Sequence, residues 1–226
     1  MGSLYDYLNS RAPPAPRAAH KLVVSALRGL NHLHTFFGAS VQGKPGIAHR
    51  DLKTKNILVR DDGECVIGDF DLAVIQKVEE GELDMPEVPG DNFKVGTKRY
   101  MSPEVLDDSI KRKTTFQAFC NADVYSFALV VWEVLHRTDL ADSEAPLYAL
   151  PYHEYVGPDP SVEEMHRVVC VENKRPGIER RWEADQVSAK FPCWPIKFKT
   201  GHVRGMALYP LALLIYIINT VISSRR

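Results

Sequence analysis

The stretch from His49 to Val74 reads HRDLKTKNILVRDDGECVIGDFDLAV, and its reading decides the fold. Ile57 to Val59 and Cys65 to Gly68 are short apolar runs on either side of Asp61-Asp62-Gly63. An Asp-Gly pair between two such runs favours a tight hairpin, because both residue types tolerate positive φ. The hairpin returns the chain to the end of the small sheet from which it left. Asp69 thereby comes back beside Asn56, where the two can share metal ions. Upstream of the hairpin, Asp51, Lys53 and Asn56 place a carboxylate, a cation and an oxygen ligand within one short loop.

Composition sets the outer limits. The 226 residues are enough for one sizeable core, with 45% hydrophobic and 25% charged residues, the balance of an ordinary globular chain. Lys plus Arg is 28 and Asp plus Glu is 29, so no global charge steers the chain to nucleic acid, and no nucleic-acid partner is expected. Cys65, Cys120, Cys170 and Cys193 are too dispersed for a zinc spacing and too few for a disulfide framework. They read as reduced thiols in a cytosolic setting. The N-terminus lacks the charged and apolar regions of a secretory signal.

Outward from the central stretch, periodicity predicts the helices. Val23, Leu27, Leu30, His34 and Phe37 recur at spacings of three and four, which predicts a helix from about Pro16 to Phe37. A short helix is expected over 4–9 and another after Pro103. Asp123 to Arg137 reads as a strongly apolar, buried helix. Ser161 and Glu164 fit a capping box, so a helix should run from Val162 to about Val171. Residues 41–48 read as a loop. Residues 75–99, polar and interrupted by Pro86 and Pro89, read as a long flexible loop.

Transfer of a phosphoryl group needs a carboxylate to take the proton of the attacking hydroxyl, oxygen ligands for Mg²⁺, and positive charge on the phosphates. Asp51, Lys53, Asn56 and Asp69 supply these parts. His49 to Asn56 matches the pattern H-R-D-L-x-x-x-N, and Asp69-Phe70-Asp71 occupies the D-F-G position. The blocks MGSLYDYL, QGKPGIAHRDLKTKNILV, VGTKRYMSPEVLDDSI and DPSVEEMHRVVCVENKRPGIERRW resemble the TGF-β superfamily type I receptor serine/threonine kinases, on the activin/BMP side. The resemblance covers about residues 2–182.

That resemblance implies a mainly α fold: the large C-terminal lobe of a protein kinase, with a small β hairpin. It implies Asp51 as catalytic base, Lys53 on the γ-phosphate, Asn56 and Asp69 on Mg²⁺, and ATP as the other cofactor. Thr97 would lie in the segment that seats the substrate residue, and Glu104 would end the activation segment. His49, Arg50, Glu104 and Asp123 are expected to be structural. The implied partners are Smad proteins and a type II receptor, with the parent receptor in the plasma membrane and its kinase on the cytoplasmic side.

The sequence also departs from the family. No G-x-G-x-x-G occurs upstream of His49, so the N-lobe with its ATP roof is expected to be absent from this chain. Asp71 stands where these kinases carry Gly; it is expected to impair positioning, with a role as spare metal ligand as the alternative. Ser102 replaces Ala before Pro103-Glu104, and Glu104 has no confident Arg partner. Residues 1–182 are therefore read as a partial kinase domain and 183–226 as a divergent tail. The tail's apolar segment 205–224 has three readings: a membrane helix, a replacement for core helices, or sequence read past a splice boundary, the most economical of the three. The functional expectation is a Smad-phosphorylating receptor kinase. The alternative is a catalytically dead binding module that competes for Smad or type II receptor contacts.

Overall fold

The computed structural model describes residues 2–10, 12–36, 43–79, 82–86, 88, 92–112, 115–139 and 145–177. Helix α1 (Leu4–Ser10) follows the two-residue strand β1 (Gly2–Ser3). Helix α2 (Pro16–His34) has proline at its start, where a missing N–H costs nothing. Its buried stripe is Ala19, Leu22, Val23, Ala26, Leu27 and Leu30, the period of one helical face. The helix stops at His34, short of the expected Phe37, which lies outside the described residues. Thr35 is extended, and the Lys44 ammonium donates to the carbonyls of Leu33, Thr35 and Pro45 at 2.9–3.0 Å. A cation on the last carbonyls is a favourable helix end.

The expected hairpin forms from β3 (Ile57–Val59) and β4 (Cys65–Ile67), and β1 adds to β3 to make a three-stranded antiparallel sheet. Gly63 takes φ +80° in the turn, and Asp62 accepts the Glu64 N–H at 2.9 Å instead of taking a positive φ itself. The Cys65 N–H donates to Ser25 Oγ at 2.8 Å, which seats the hairpin on α2. A second sheet corrects two expectations. β2 (Ile47–Ala48) lies in the predicted loop 41–48, and β5 (Val74–Glu79) and β6 (Glu82–Pro86) form a hairpin inside the predicted loop 75–99. Val74 and Ile75 pair with β2 and Gln76–Glu79 with β6, backbone ladders that the polar sequence of this segment did not signal.

Helix α3 (Pro103–Leu106) is short, as expected. Helix α4 (Phe116–Arg137) starts seven residues before the expected Asp123, because Thr115 caps it by accepting the Ala118 N–H at 3.2 Å. It is buried nearly all round and is the axle of the fold. By length and composition it could cross a membrane, but 78% of its most apolar window is buried, which makes it a core helix. The capping box at Ser161 is present, with both reciprocal bonds, and starts α5 (Val162–His166). One π turn, Arg167–Val171, completes the predicted span. Trp182, the tail and its segment 205–224 lie outside the described residues.

Candidate active site

The loop between β2 and β3 is fixed from below by one buried carboxylate. Asp123 projects from α4 and is 1% exposed. It accepts the His49 N–H at 2.6 Å, the Arg50 N–H at 2.8 Å and His34 Nε2 at 2.9 Å. Two consecutive amides on one carboxylate set the backbone direction at the residue before Asp51. Arg50 itself takes φ +67°, a left-handed conformation that costs a non-glycine residue of the order of 1–3 kcal/mol. The Asp123 bonds stabilise it.

Above this anchor the expected residues converge. Asp51 Oδ2 lies 2.6 Å from Lys53 Nζ and 3.2 Å from Asn56 Nδ2. Asp51 Oδ1 accepts the Thr97 N–H at 2.7 Å. Lys53 also donates to Thr97 Oγ1 at 2.7 Å. Thr97 arrives from 44 residues downstream of Lys53 because Gly96, at φ +103°, carries no side chain. A Cβ there would stand 2.5 Å from the Arg50 carbonyl oxygen. The Asn56 amide nitrogen also donates to the Asp51 carbonyl at 2.9 Å, which orients the side chain and leaves Oδ1 as its ligand-capable atom.

Asp69 is brought back by Gly68. The Gly68 N–H donates to the Asn56 carbonyl at 2.9 Å, and its carbonyl meets His49 Nε2 at 2.9 Å. Asp69 follows at φ +65°, exposed and one residue beyond. Phe70 is 44% exposed and tilts against the His49 ring at 5.3 Å. Asp71 lies in the turn after it and is exposed. Oxygen donors from Asn56 and Asp69 fit Mg²⁺, which prefers one or two protein ligands and completes its shell with water and phosphate. Among the described residues no cluster of three or more His, Cys, Asp or Glu side chains could hold a metal alone. These two residues would hold the ion, and its charge would offset that of the phosphates.

Three other expected residues sit at the margin. The Arg50 guanidinium donates to the Asn92 carbonyl at 2.5 Å and lies 5.3 Å over the Phe119 ring. Segment 70–96 contains no Ser, Thr or Tyr, so no phosphate on that segment competes for Arg50. Glu104 is half-buried on α3, and no ion pair to it forms among the described residues. Ser102 is buried, and its Oγ has no hydrogen-bond partner there. An orphaned hydroxyl typically costs ~1–3 kcal/mol, more than the mild effect expected for a small-for-small exchange.

Sequence reasoning missed a second buried carboxylate. Glu133 on α4 is 0% exposed and accepts from Thr54 Oγ1 at 3.0 Å, Tyr100 OH at 2.7 Å and Tyr148 OH. It joins the loop of Asp51, the segment after Thr97 and the 145–150 loop. Its only sequence signal was an acid inside the otherwise apolar run Phe127–Leu135. Burial pushes its carboxyl up to about 7, against the opposing pull of the three hydroxyls and Arg99. A raised carboxyl favours the protonated folded state. Its contribution to stability is fully present below the ordinary value of 4.5 and is lost as pH rises through about 7. The Glu133→Gln variant should therefore lose a pH slope of the order of 3 kcal/mol between those limits. Urea unfolding of both proteins across that range checks it; parallel curves would refute it.

Comparison with known proteins agrees with this geometry. The protein kinase domain profile matches residues 1–154. TGF-beta receptor type-1 of Homo sapiens is 48% identical over 212 residues, which cover 92% of this chain and 40% of that protein. Activin receptor type-1B of Homo sapiens is 46% identical, with the same coverage. Activin receptor type-1 of Homo sapiens is 45% identical over 186 residues, 82% of this chain and 35% of that protein. The chain thus spans about two fifths of the length of the curated relatives it matches. A loop that gathers a carboxylate, a lysine and an asparagine under one threonine, in a sequence matched this far, settles the matter of kinship: the chain belongs to the protein kinase family, as a kinase domain homologous to the TGF-beta and activin type-1 receptors.

Proposed function

We propose that this chain is the catalytic-loop side of a receptor serine/threonine kinase of the TGF-β type I class, which moves the γ-phosphoryl group of ATP to a serine of a Smad protein. The observation that carries the reading is the triangle of Asp51, Lys53 and Thr97. Asp51 takes the proton of the substrate hydroxyl. Lys53, bonded to both Asp51 and Thr97, steadies the γ-phosphate, and Asn56 and Asp69 hold Mg²⁺. Thr97 seats the residue that is phosphorylated. Arg50, His49 and Asp123 act as the frame. Smad proteins and a type II receptor are the partners, and the parent receptor lies in the plasma membrane.

In this reading the kinase portion extends to about Trp182, and an ATP-covering lobe with a Gly-rich loop completes the site. The test is transfer of labelled phosphate from ATP to a Smad C-terminal tail, by the chain alone and by the chain joined to such a lobe. The joined form should transfer and the chain alone should not. No transfer by the joined form overturns the kinase reading. Transfer by the chain alone, abolished by Asp51→Asn, overturns the division between lobes.

A further inference from the structure

The segment from Gly96 to Tyr100 is held on one side by Asp51 and Lys53. On its other side it is held by a buried cation. Arg99 is 4% exposed. Its guanidinium donates to the Pro151 carbonyl at 2.7 Å, to the Pro158 carbonyl at 3.1 Å and to the Gly157 carbonyl between them. No carboxylate lies within ion-pair distance of it among the described residues. A buried charge without a counter-ion is costly unless dipoles compensate it. Here the contact compensation comes from three carbonyls at the two ends of one loop, residues 151–158, and the buried Glu133 carboxylate attracts the guanidinium from beyond ion-pair distance. Nearby, Lys98 Nζ stands 3.5 Å from the exposed Asp159, a weaker second link across the same seam.

Only a guanidinium suits this arrangement. Its donors radiate from a rigid plane and can reach both ends of the loop at once. A lysine ammonium in the same place is a point donor and reaches one end. The loop has little else to fix it to the segment after Thr97. Its own bonds are internal turns from Leu150 and Tyr152, and Tyr152 OH meets Tyr125 OH on α4.

We propose that Arg99 is a positioning residue for the protein substrate: its fork clamps loop 151–158 to segment 97–100, so that the two form one rigid wall of the peptide seat. The clamp rests on the kinase reading for the use made of that wall. The proposed Mg²⁺ residues Asn56 and Asp69 make no hydrogen bond to segment 97–100 or loop 151–158 among the described residues, and Asp51 and Lys53 meet that segment only at Thr97, two residues before the fork. Loss of the fork should therefore blur the seat for the peptide and spare the nucleotide.

Two variants and two readouts test this. Arg99→Lys keeps the charge and loses the fork; Arg99→Met loses both. Hydrogen exchange on the full chain should speed up about tenfold or more in 97–102 and 151–159 for both variants, while α2 and α4 keep their protection. In the phosphotransfer assay Arg99→Lys should raise KM for the protein substrate about tenfold, with kcat and KM for ATP within about twofold. Unchanged exchange in 151–159 overturns the clamp. Loss of protection throughout α2 and α4 in both variants also overturns it, because Arg99 is then a core residue only. A KM for ATP that rises with the peptide KM overturns the positioning role. The phosphotransfer assay uses the chain joined to an ATP-covering lobe; if that joined form, unsubstituted, transfers no phosphate, the kinase reading falls, and the exchange result alone decides the clamp.

Discussion

Asp123→Ala should lower the stability of the domain by ~3–5 kcal/mol, the usual loss when one partner of a buried charged cluster is removed. The substitution leaves two backbone amides and an imidazole facing an apolar void, since Asp123 serves the His49 N–H, the Arg50 N–H and His34 at once. Each unsatisfied buried donor costs ~1–3 kcal/mol, and three of them are a large share of a stability of ~5–15 kcal/mol. The left-handed Arg50 also loses the bond that stabilises it. Urea unfolding should show a lower midpoint with an unchanged slope. Asp123→Asn retains one acceptor oxygen and should fall between the two. If Asn and Ala lose the same amount, acceptance of the two amides is not what Asp123 contributes.

Asp51→Asn should lower turnover by about 10²–10⁴-fold, the range for removal of a positioned general base. Its stability should fall by less than that of Asp123→Ala, because the substitution is isosteric and Oδ1 still accepts the Thr97 N–H, while Lys53 and Asn56 lose Oδ2 as an acceptor. The lost property is the lone pair that takes the hydroxyl proton. Asn also turns an amide toward Lys53, which lies 2.6 Å from Oδ2 in the native protein. The measurement is single-turnover phosphotransfer at saturating ATP by the chain joined to an ATP-covering lobe, beside unfolding of the same sample. Turnover within tenfold of the native rate would remove Asp51 from the proposed role of base. A fall in stability as large as that of Asp123→Ala would make it a structural residue instead.

Much of the site was legible because its parts are close in sequence. Asp51, Lys53 and Asn56 share one loop, and the turn at Gly63 returns Asp69 to them. The capping box at Ser161 was legible for the same reason, since its two bonds link residues three apart. Errors fell where pairing or a cap overrode local signal. The hairpin of β5 and β6 has a polar sequence that reads as loop, and its order lies in backbone ladders, Val74 and Ile75 on β2 and Gln76–Glu79 on β6. The early start of α4 rests on Thr115 ahead of a mixed polar and apolar stretch.

Alone, the sequence determined the helix faces, the hairpin, the four chemical groups of the loop and the kinship they imply, because periodicity and turn chemistry act within about ten residues. Only the tertiary structure decided what holds those groups in place. Asp123 meets His49 across 74 positions, Glu133 meets Thr54 across 79, and Arg99 meets Pro151 across 52. A buried acid or arginine in the sequence has no partner that spacing can name. Its burial is tolerable only with hydrogen bonds, and which distant carbonyl, amide or hydroxyl supplies them is set by how α4 packs beneath the loop.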